Sequence, residues 1–328
     1  MRRLATLAPW FAAAFLAAAP PPPGLQTVKV GKGPNFVRLA PDGKSAVVTD
    51  FASDELSVLA LDPLRETARV KIGFGPLGLV FSPDGKLLYV SNMNAGLVKV
   101  VEYPALELKD TLKVGNLPTE MALTPDGYRV LVANYGRGKF GRLDAVDLET
   151  RRIAATAKVG VKPLAVAVHP SGETAWVANS AENTLSVVNL ETFKGTQTLP
   201  VGDGPDGLAL NGNGRKLFIA HSRSNDVWVY DVRRKQVLEK RPLPGGPFRV
   251  ALSPDERLLA VACYRAGVVA FLSVDAALTG SLPAVSVPKG PVDVAFTPDG
   301  KRLLVVCEKA DCVVSLPVPA LPPASPTE

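Results

Sequence analysis

The stretch Gly75-Pro76-Leu77-Gly78-Leu79-Val80-Phe81-Ser82-Pro83-Asp84-Gly85-Lys86-Leu87-Leu88-Tyr89-Val90-Ser91-Asn92 decides the fold. Two short apolar runs, Leu77–Ser82 and Leu87–Asn92, flank Pro83-Asp84-Gly85-Lys86. Proline presets φ, aspartate caps the turn backbone and glycine takes the positive φ, so the runs read as antiparallel strands joined by a tight turn. Downstream, Leu97–Tyr103 and Thr111–Val114 bring the set to four strands, ending at Gly115.

The unit recurs along the chain. Pro41, Pro83, Pro125, Pro170, Gly212, Pro254 and Pro298 each follow by seven residues Pro34, Pro76, Pro118, Pro163, Pro205, Pro247 and Pro291. Successive beats lie 42, 42, 45, 42, 42 and 44 residues apart. A period of roughly 40–45 residues carrying several short strands is the mark of a β-propeller blade. The expected fold is all-β, a seven-bladed propeller of four antiparallel strands per blade, A innermost to D outermost. A–B and C–D turns lie on the bottom face; B–C hairpins and D–A crossovers lie on the top.

The seventh repeat runs out after Val313-Val314-Ser315-Leu316, and Pro317–Glu328 is too proline-rich for a ladder strand. Thr27-Val28-Lys29-Val30-Gly31 matches a strand D with no A, B or C before it. The N-terminal strand is therefore expected to complete blade seven and close the ring, hiding edges that would recruit other chains. Two buried valines at about 1.5–3 kcal/mol each would help hold it.

The organisation that follows is residues 1–24 as a leader and spacer, 25–318 as the propeller and 319–328 as a proline-rich tail. Met1-Arg2-Arg3 before the apolar run Leu4–Ala19 reads as a secretory signal. Pro20, directly after Ala17-Ala18-Ala19, is unfavourable for cleavage there, so a retained membrane anchor with Pro20–Pro23 as a stiff spacer is the alternative. The chain is expected to be exported, to the periplasm, the cell surface or the medium, and to be monomeric. Hydrophobic content of 47% against 21% charged residues excludes general disorder. The net charge of +6, about +4 without Arg2 and Arg3, speaks to solubility before ligand.

The strand B endings Tyr89-Val90-Ser91-Asn92, Leu131-Val132-Ala133-Asn134 and Trp176-Val177-Ala178-Asn179 resemble the Tyr-Val-Thr-Asn signature of the YVTN-type β-propeller repeat. Ser82–Lys86 and Val114–Pro118 match its companion motifs. The resemblance spans all seven repeats. It implies an exported or cell-surface seven-bladed propeller, similar to the lactonase-like and quinoprotein-like propellers. It implies no single activity, and no shared catalytic motif is carried over.

Nine residues after each beat stand Asp50, Asn92, Asn134, Asn179, His221, Cys263 and Cys307. Asn or Asp there is expected to bond the B–C hairpin backbone, a task His221 and the two cysteines cannot perform in the same way. Cys307 and Cys312 bracket a four-residue hairpin and are expected to form a disulfide. A soft-metal or redox pair is the rival reading of these two cysteines. Cys263 is left as a small apolar residue.

With two histidines in the whole chain and no Gly-x-Ser-x-Gly elbow, a zinc enzyme or a Ser-His-Asp hydrolase is not expected. No metal or cofactor is called for. Gly202-Asp203-Gly204-Pro205-Asp206-Gly207 fits a dinucleotide fingerprint only formally, because it joins two strands rather than a strand and a helix.

Two residues after the crossover prolines come Phe36, Gly78, Glu120, Ala165, Gly207, Arg249 and Asp293. Small residues suit a crowded axis, so Glu120, Arg249 and Asp293 stand out as candidates for chemistry. Arg249 and Asp293 are expected to pair. Around them Tyr135 and Arg137 in a three-residue insertion of blade three, His221 and Arg223 in blade five, and Phe248, Tyr264 and Arg265 in blade six form a basic and aromatic arc. Blades seven and one are acidic, with Asp293, Glu308, Asp311, Asp54 and Glu55.

Such an arc suits a protein partner or a small anionic or aromatic ligand; as a nucleic-acid site it is thin. A membrane enters only through an uncleaved N-terminus. The leading expectation is a binding module on the top face. A lactonase-like hydrolase using Glu120 or Asp293 with Arg249 is the alternative, and a quinone-cofactor or electron-transfer accessory a third.

Overall fold

The computed structural model describes residues 19–274 and 282–321. The first eighteen residues of the leader and residues 322–328 of the tail lie outside them.

Strand β1 (Gln26–Lys29) comes first. Blade one is β2 (Pro34–Leu39), β3 (Ser45–Asp50), β4 (Glu55–Leu61) and β5 (Leu64–Lys71). Blade two is β6 (Pro76–Phe81), β7 (Leu87–Asn92), β8 (Leu97–Glu102) and β9 (Glu107–Lys113). Blade three is β10 (Pro118–Leu123), β11 (Arg129–Asn134), β12 (Gly141–Asp147) and β13 (Arg152–Val159). Blade four is β14 (Pro163–Val168), β15 (Thr174–Asn179), β16 (Thr184–Asn189) and β17 (Lys194–Pro200). Blade five is β18 (Pro205–Leu210), β19 (Lys216–His221), β20 (Asp226–Asp231) and β21 (Gln236–Pro242). Blade six is β22 (Pro247–Leu252), β23 (Leu258–Cys263), β24 (Val268–Ser273) and the short β25 (Val285–Ser286). Blade seven is β26 (Pro291–Phe296), β27 (Arg302–Cys307) and β28 (Cys312–Pro317), completed by β1.

Every blade is thus a four-stranded antiparallel sheet, and the expected closure is present: β1 pairs β28 from Gln26 opposite Ser315 to Lys29 opposite Cys312. Of the two valines, Val30 is buried and Val28 half-buried, packed beside Val37, Val48, Val306 and Val313. Closure therefore buries less of β1 than two valines would, and backbone pairing carries a larger share. Upstream, Ala19 makes a parallel bridge to Val285 at the outer edge of blade six.

The core lies between facing blades. Phe36, Val47 and Leu56 of blade one pack on Leu79, Leu88 and Val90 of blade two, and equivalent clusters repeat around the ring. Inner strands are accordingly buried on both faces, as in β23, whereas outer strands such as β17 are mostly exposed.

Just after each crossover proline the A–B register shifts. In the first blades hydroxyls bridge the irregularity. Thr49 accepts from Phe36 N–H and donates to Leu77 O of the next blade, and Ser91 accepts from Gly78 N–H and donates to Thr119 O. Gly78 is required by close approach, since a Cβ there would stand 2.5 Å from Thr119 O. Gly202–Gly207 joins β17 to β18, strand to strand, as its position in the repeat requires.

Candidate functional site at the axis and top face

Strand A of each blade runs from the top crossover towards the bottom turn, so its early residues line the upper axis. Four charged side chains meet there. Arg249 of β22 donates to Glu120 of β10 at 2.7 Å, reaching from blade six to blade three. Arg38 of β2 donates to Asp293 of β26 at 2.8 Å and to Glu120 at 3.3 Å. The expected pairing of Arg249 with Asp293 is corrected. The short Asp293 side chain instead accepts from the adjacent Val37 N–H at 2.9 Å and from Arg38, while the long arm of Arg249 spans the channel.

The lattice is largely withdrawn from water. Arg249 is 5% exposed, the Glu120 side chain 13% and that of Arg38 30%. Burial raises the Glu120 carboxyl above its ordinary range, opposed by the guanidinium groups of Arg249 and Arg38. The Arg249 guanidinium also lies over the Phe36 ring, 4.0 Å from its centre, and 5.5 Å from that of Phe248. Arg249 Nε and Asp206 Oδ1 are buried without a hydrogen-bond partner.

Arg38 escaped the sequence reading. A signal existed two residues further along strand A: Arg38 shares that column with Val80, Ala122, Ala167, Ala209, Ala251 and Ala295.

The polar column at the end of strand B faces the D–A crossover, not the B–C hairpin, and this expectation too is corrected. Each column residue stands nineteen positions after a crossover Gly or Pro. Asn92 Nδ2 donates to Gly73 O at 2.5 Å. Gly115 N–H reaches Asp144 Oδ2, which also accepts from Asn134 Nδ2. Ser186 Oγ joins Gly160 N–H to Asn179, and Ser57 Oγ joins Gly31 N–H to Asp50. His221 performs the same task directly, its Nε2 accepting from Gly202 N–H at 3.1 Å. That bond leaves the imidazole proton on Nδ1, which lies 3.0 Å from Asp226 Oδ1. Fully buried, His221 belongs to the joint and is withdrawn from the top-face arc. At Gly31, Gly115, Gly160 and Gly202 a Cβ would collide with the column side chain, standing 2.8 Å from His221 Cγ in the last case, whereas Gly73 is held by its positive φ of 88°.

Two arginines of the arc are straps between blades. Arg223 donates to Ser180 O and Asn183 Oδ1 of blade four; Arg265 donates in the same way to Ser222 O and Asn225 Oδ1 of blade five. Tyr264 donates to Glu308 of blade seven at 2.5 Å, its ring tilted against Phe248. Burial and the Glu308 carboxylate push its phenol up to about 12.

Blade three differs. Between paired Asn134 and Arg142 it holds Tyr135–Gly141, three residues more than between Asp50 and Glu55 of blade one. Arg137 and Lys139 are exposed and make no ion pair among the described residues. Phe140 is 52% exposed beneath Lys158 Nζ, 3.2 Å from the ring centre, and Lys162 Nζ lies 5.4 Å from that of Tyr135.

Cys307 and Cys312 face each other in register as two thiols, and Cys263 is a third, fully buried. Burial pushes the Cys263 thiol up to about 12. No group of three or more His, Cys, Asp or Glu poised for a metal occurs among the described residues. Clefts of about 480 and 500 Å³ open on the bottom face, around Tyr103 and Arg302, away from the axis mouth.

A family model described as "Lactonase, 7-bladed beta-propeller" matches residues 21–241, about two thirds of the chain. Among solved structures, a chain of hydrazine synthase from Kuenenia stuttgartiensis superposes with a TM-score of 0.82 at 18% identity, over 88% of this chain and 96% of that one. At that identity the likeness speaks for the fold alone. No curated protein matches.

Proposed function

We propose, for a chain that belongs to the lactonase family of seven-bladed β-propellers, a role in binding rather than turnover: an exported module that docks an acidic protein partner, or a small anionic or aromatic ligand, on its top face. Export rests on the basic start and apolar run of Met1–Ala19. One contrast carries the binding reading. The axis charges neutralise one another, whereas the blade-three hairpin presents Arg137 and Lys139 unpaired beside two rings already covered by lysines.

Two rings beside two free cations fall short of a dense basic stripe with stacking aromatics, so nucleic acid fits poorly. Surplus cations at an aromatic rim do attract carboxylates and steer their approach. The test is a fluorescent peptide of alternating glutamate and tyrosine, titrated by anisotropy. Arg137→Glu with Lys139→Glu is expected to weaken its binding roughly tenfold or more, since reversed rim charges repel it. Equal affinity in variant and wild type removes the top-face reading.

Family membership and the raised Glu120 carboxyl against Arg249 favour a second reading, a lactonase-like hydrolase with Glu120 or Asp293 as base and Arg249 facing the developing oxyanion. Against it, Arg249 and both carboxylates are already engaged in ion pairs, and His221 is committed to the blade-five joint. A lactone-hydrolysis screen separates the two. Turnover in wild type that vanishes in Glu120→Gln would establish the enzyme.

A further inference from the structure

The blade-seven hairpin is where the ring is fastened. Its turn, Glu308–Asp311, is held by the N-terminal strand and the residues just after it. Lys29 Nζ donates to Ala310 O at 2.8 Å, Val30 N–H to Asp311 O at 3.2 Å and Gly33 N–H to Asp311 Oδ1 at 2.9 Å. Cys307 and Cys312 flank this turn as direct cross-strand partners, and Cys312 is also the ladder partner of Lys29.

We infer that Cys307 and Cys312 form an oxidisable lock on the ring closure: a cross-strand disulfide that fixes the turn to which the N-terminal strand is bonded. Cα atoms of directly opposed residues in antiparallel strands lie about 4.5–5.5 Å apart, within the range a disulfide spans. Cys312 is the thiol nearer a cation, lying opposite Lys29 in the ladder, and that ammonium favours it as the attacking thiolate. The hydrogen bond from Cys307, assisted by the Lys29 ammonium and opposed by burial, holds the Cys312 thiol below its ordinary value. Cys307, set against Cys312 in a buried site, is raised.

Cys312 as thiolate therefore attacks an exchange oxidant of the class R–S–S–R, breaking its S–S bond and releasing one thiolate RS⁻. Cys307 then loses its proton and displaces the second RS⁻ from the mixed disulfide. Two electrons pass to the oxidant, which leaves as two RSH. Both cysteines are buried once the ring is shut, so exchange belongs to the stage before β1 docks or while it is lifted. The bond once formed opposes lifting in turn. The inference stands apart from any ligand on the top face.

Purified full-length chain is equilibrated in oxidised or reduced glutathione, quenched in acid, denatured and treated with a maleimide that adds visible mass to each thiol. Three adducts are expected from the reduced sample and one, on Cys263, from the oxidised sample. Unfolding in urea is expected to be roughly tenfold slower when oxidised, because the cross-link restrains the chain as it opens. That difference should vanish in Cys307→Ser/Cys312→Ser and persist in Cys263→Ser. More than one adduct from the oxidised sample overturns the disulfide. One adduct with equal unfolding rates overturns the lock.

Discussion

In the crossover into blade five, Gly202 donates its N–H to His221; in the crossovers into blades six and seven the same places in the repeat hold Pro244 and Pro288, nineteen positions before Cys263 and Cys307. Proline has no N–H to satisfy. The column side chain then needs no acceptor, and a small apolar thiol can fill the space. Blades one, three and four keep the glycine and satisfy its N–H through a polar network that includes Asp50, Asn134 or Asn179, while in blade two Asn92 holds the glycine carbonyl. One joint is thus built in two chemically consistent ways, and the identity of a residue in one strand is set by another nineteen positions earlier.

The largest effect should come from forcing the blade-one solution onto blade seven. Cys307→Asp places a carboxylate at a joint whose proline cannot donate, an uncompensated buried charge that costs about 3–5 kcal/mol. A urea melt shifted far to low denaturant is expected; an unchanged midpoint would break the comparison.

Asp50 offers the reverse experiment. Burial raises its carboxyl to about 7, against the Ser57 hydrogen bond and Arg69. Because the folded state holds this proton more tightly than the unfolded chain, its contribution is full below pH 4 and is lost as pH rises through about 7. Asp50→Asn puts there the amide that blades two to four already use. The variant is expected to match wild type near pH 4 and to exceed it at pH 8 by about 4 kcal/mol. Parallel stability curves across that interval would show that Asp50 is not protonated in the fold.

His221→Cys leaves Gly202 N–H without its acceptor, at a cost of about 1–3 kcal/mol. Adding Gly202→Pro removes the donor and should restore part of the loss, measurable as a positive coupling in a double-mutant cycle. Additivity would mean that the two positions do not depend on each other. Phe140→Ala, on the blade-three rim and outside every joint, sets the floor. Its melt should stay within about 0.5 kcal/mol of wild type.

Much of the fold was legible because the period is strict. Pro-Asp-Gly turns at a fixed distance from crossover prolines specify where each inner hairpin begins and ends, and the orphan run around Val28 announced closure by β1. The site was legible only by column. Glu120, Arg249 and Asp293 stood out against the small residues of their column and do meet at the axis. Arg38 stands in a different column, two residues further on, where it is the one charged residue among Val80 and five alanines. His221 looked like a departure from the asparagine column, yet it accepts the same glycine N–H; its exception was visible only beside Gly202 and Pro244.

The chain's own periodicity determined the number of blades, their strands and the terminus that closes them, since those depend on local turn chemistry and alternation. Which charges neutralise one another was decided only by the closed ring. It brings Arg249 to Glu120 across 129 residues and Arg38 to Asp293 across 255. No local rule reaches over such separations, and the length of an arginine, not its place in the repeat, selects the partner.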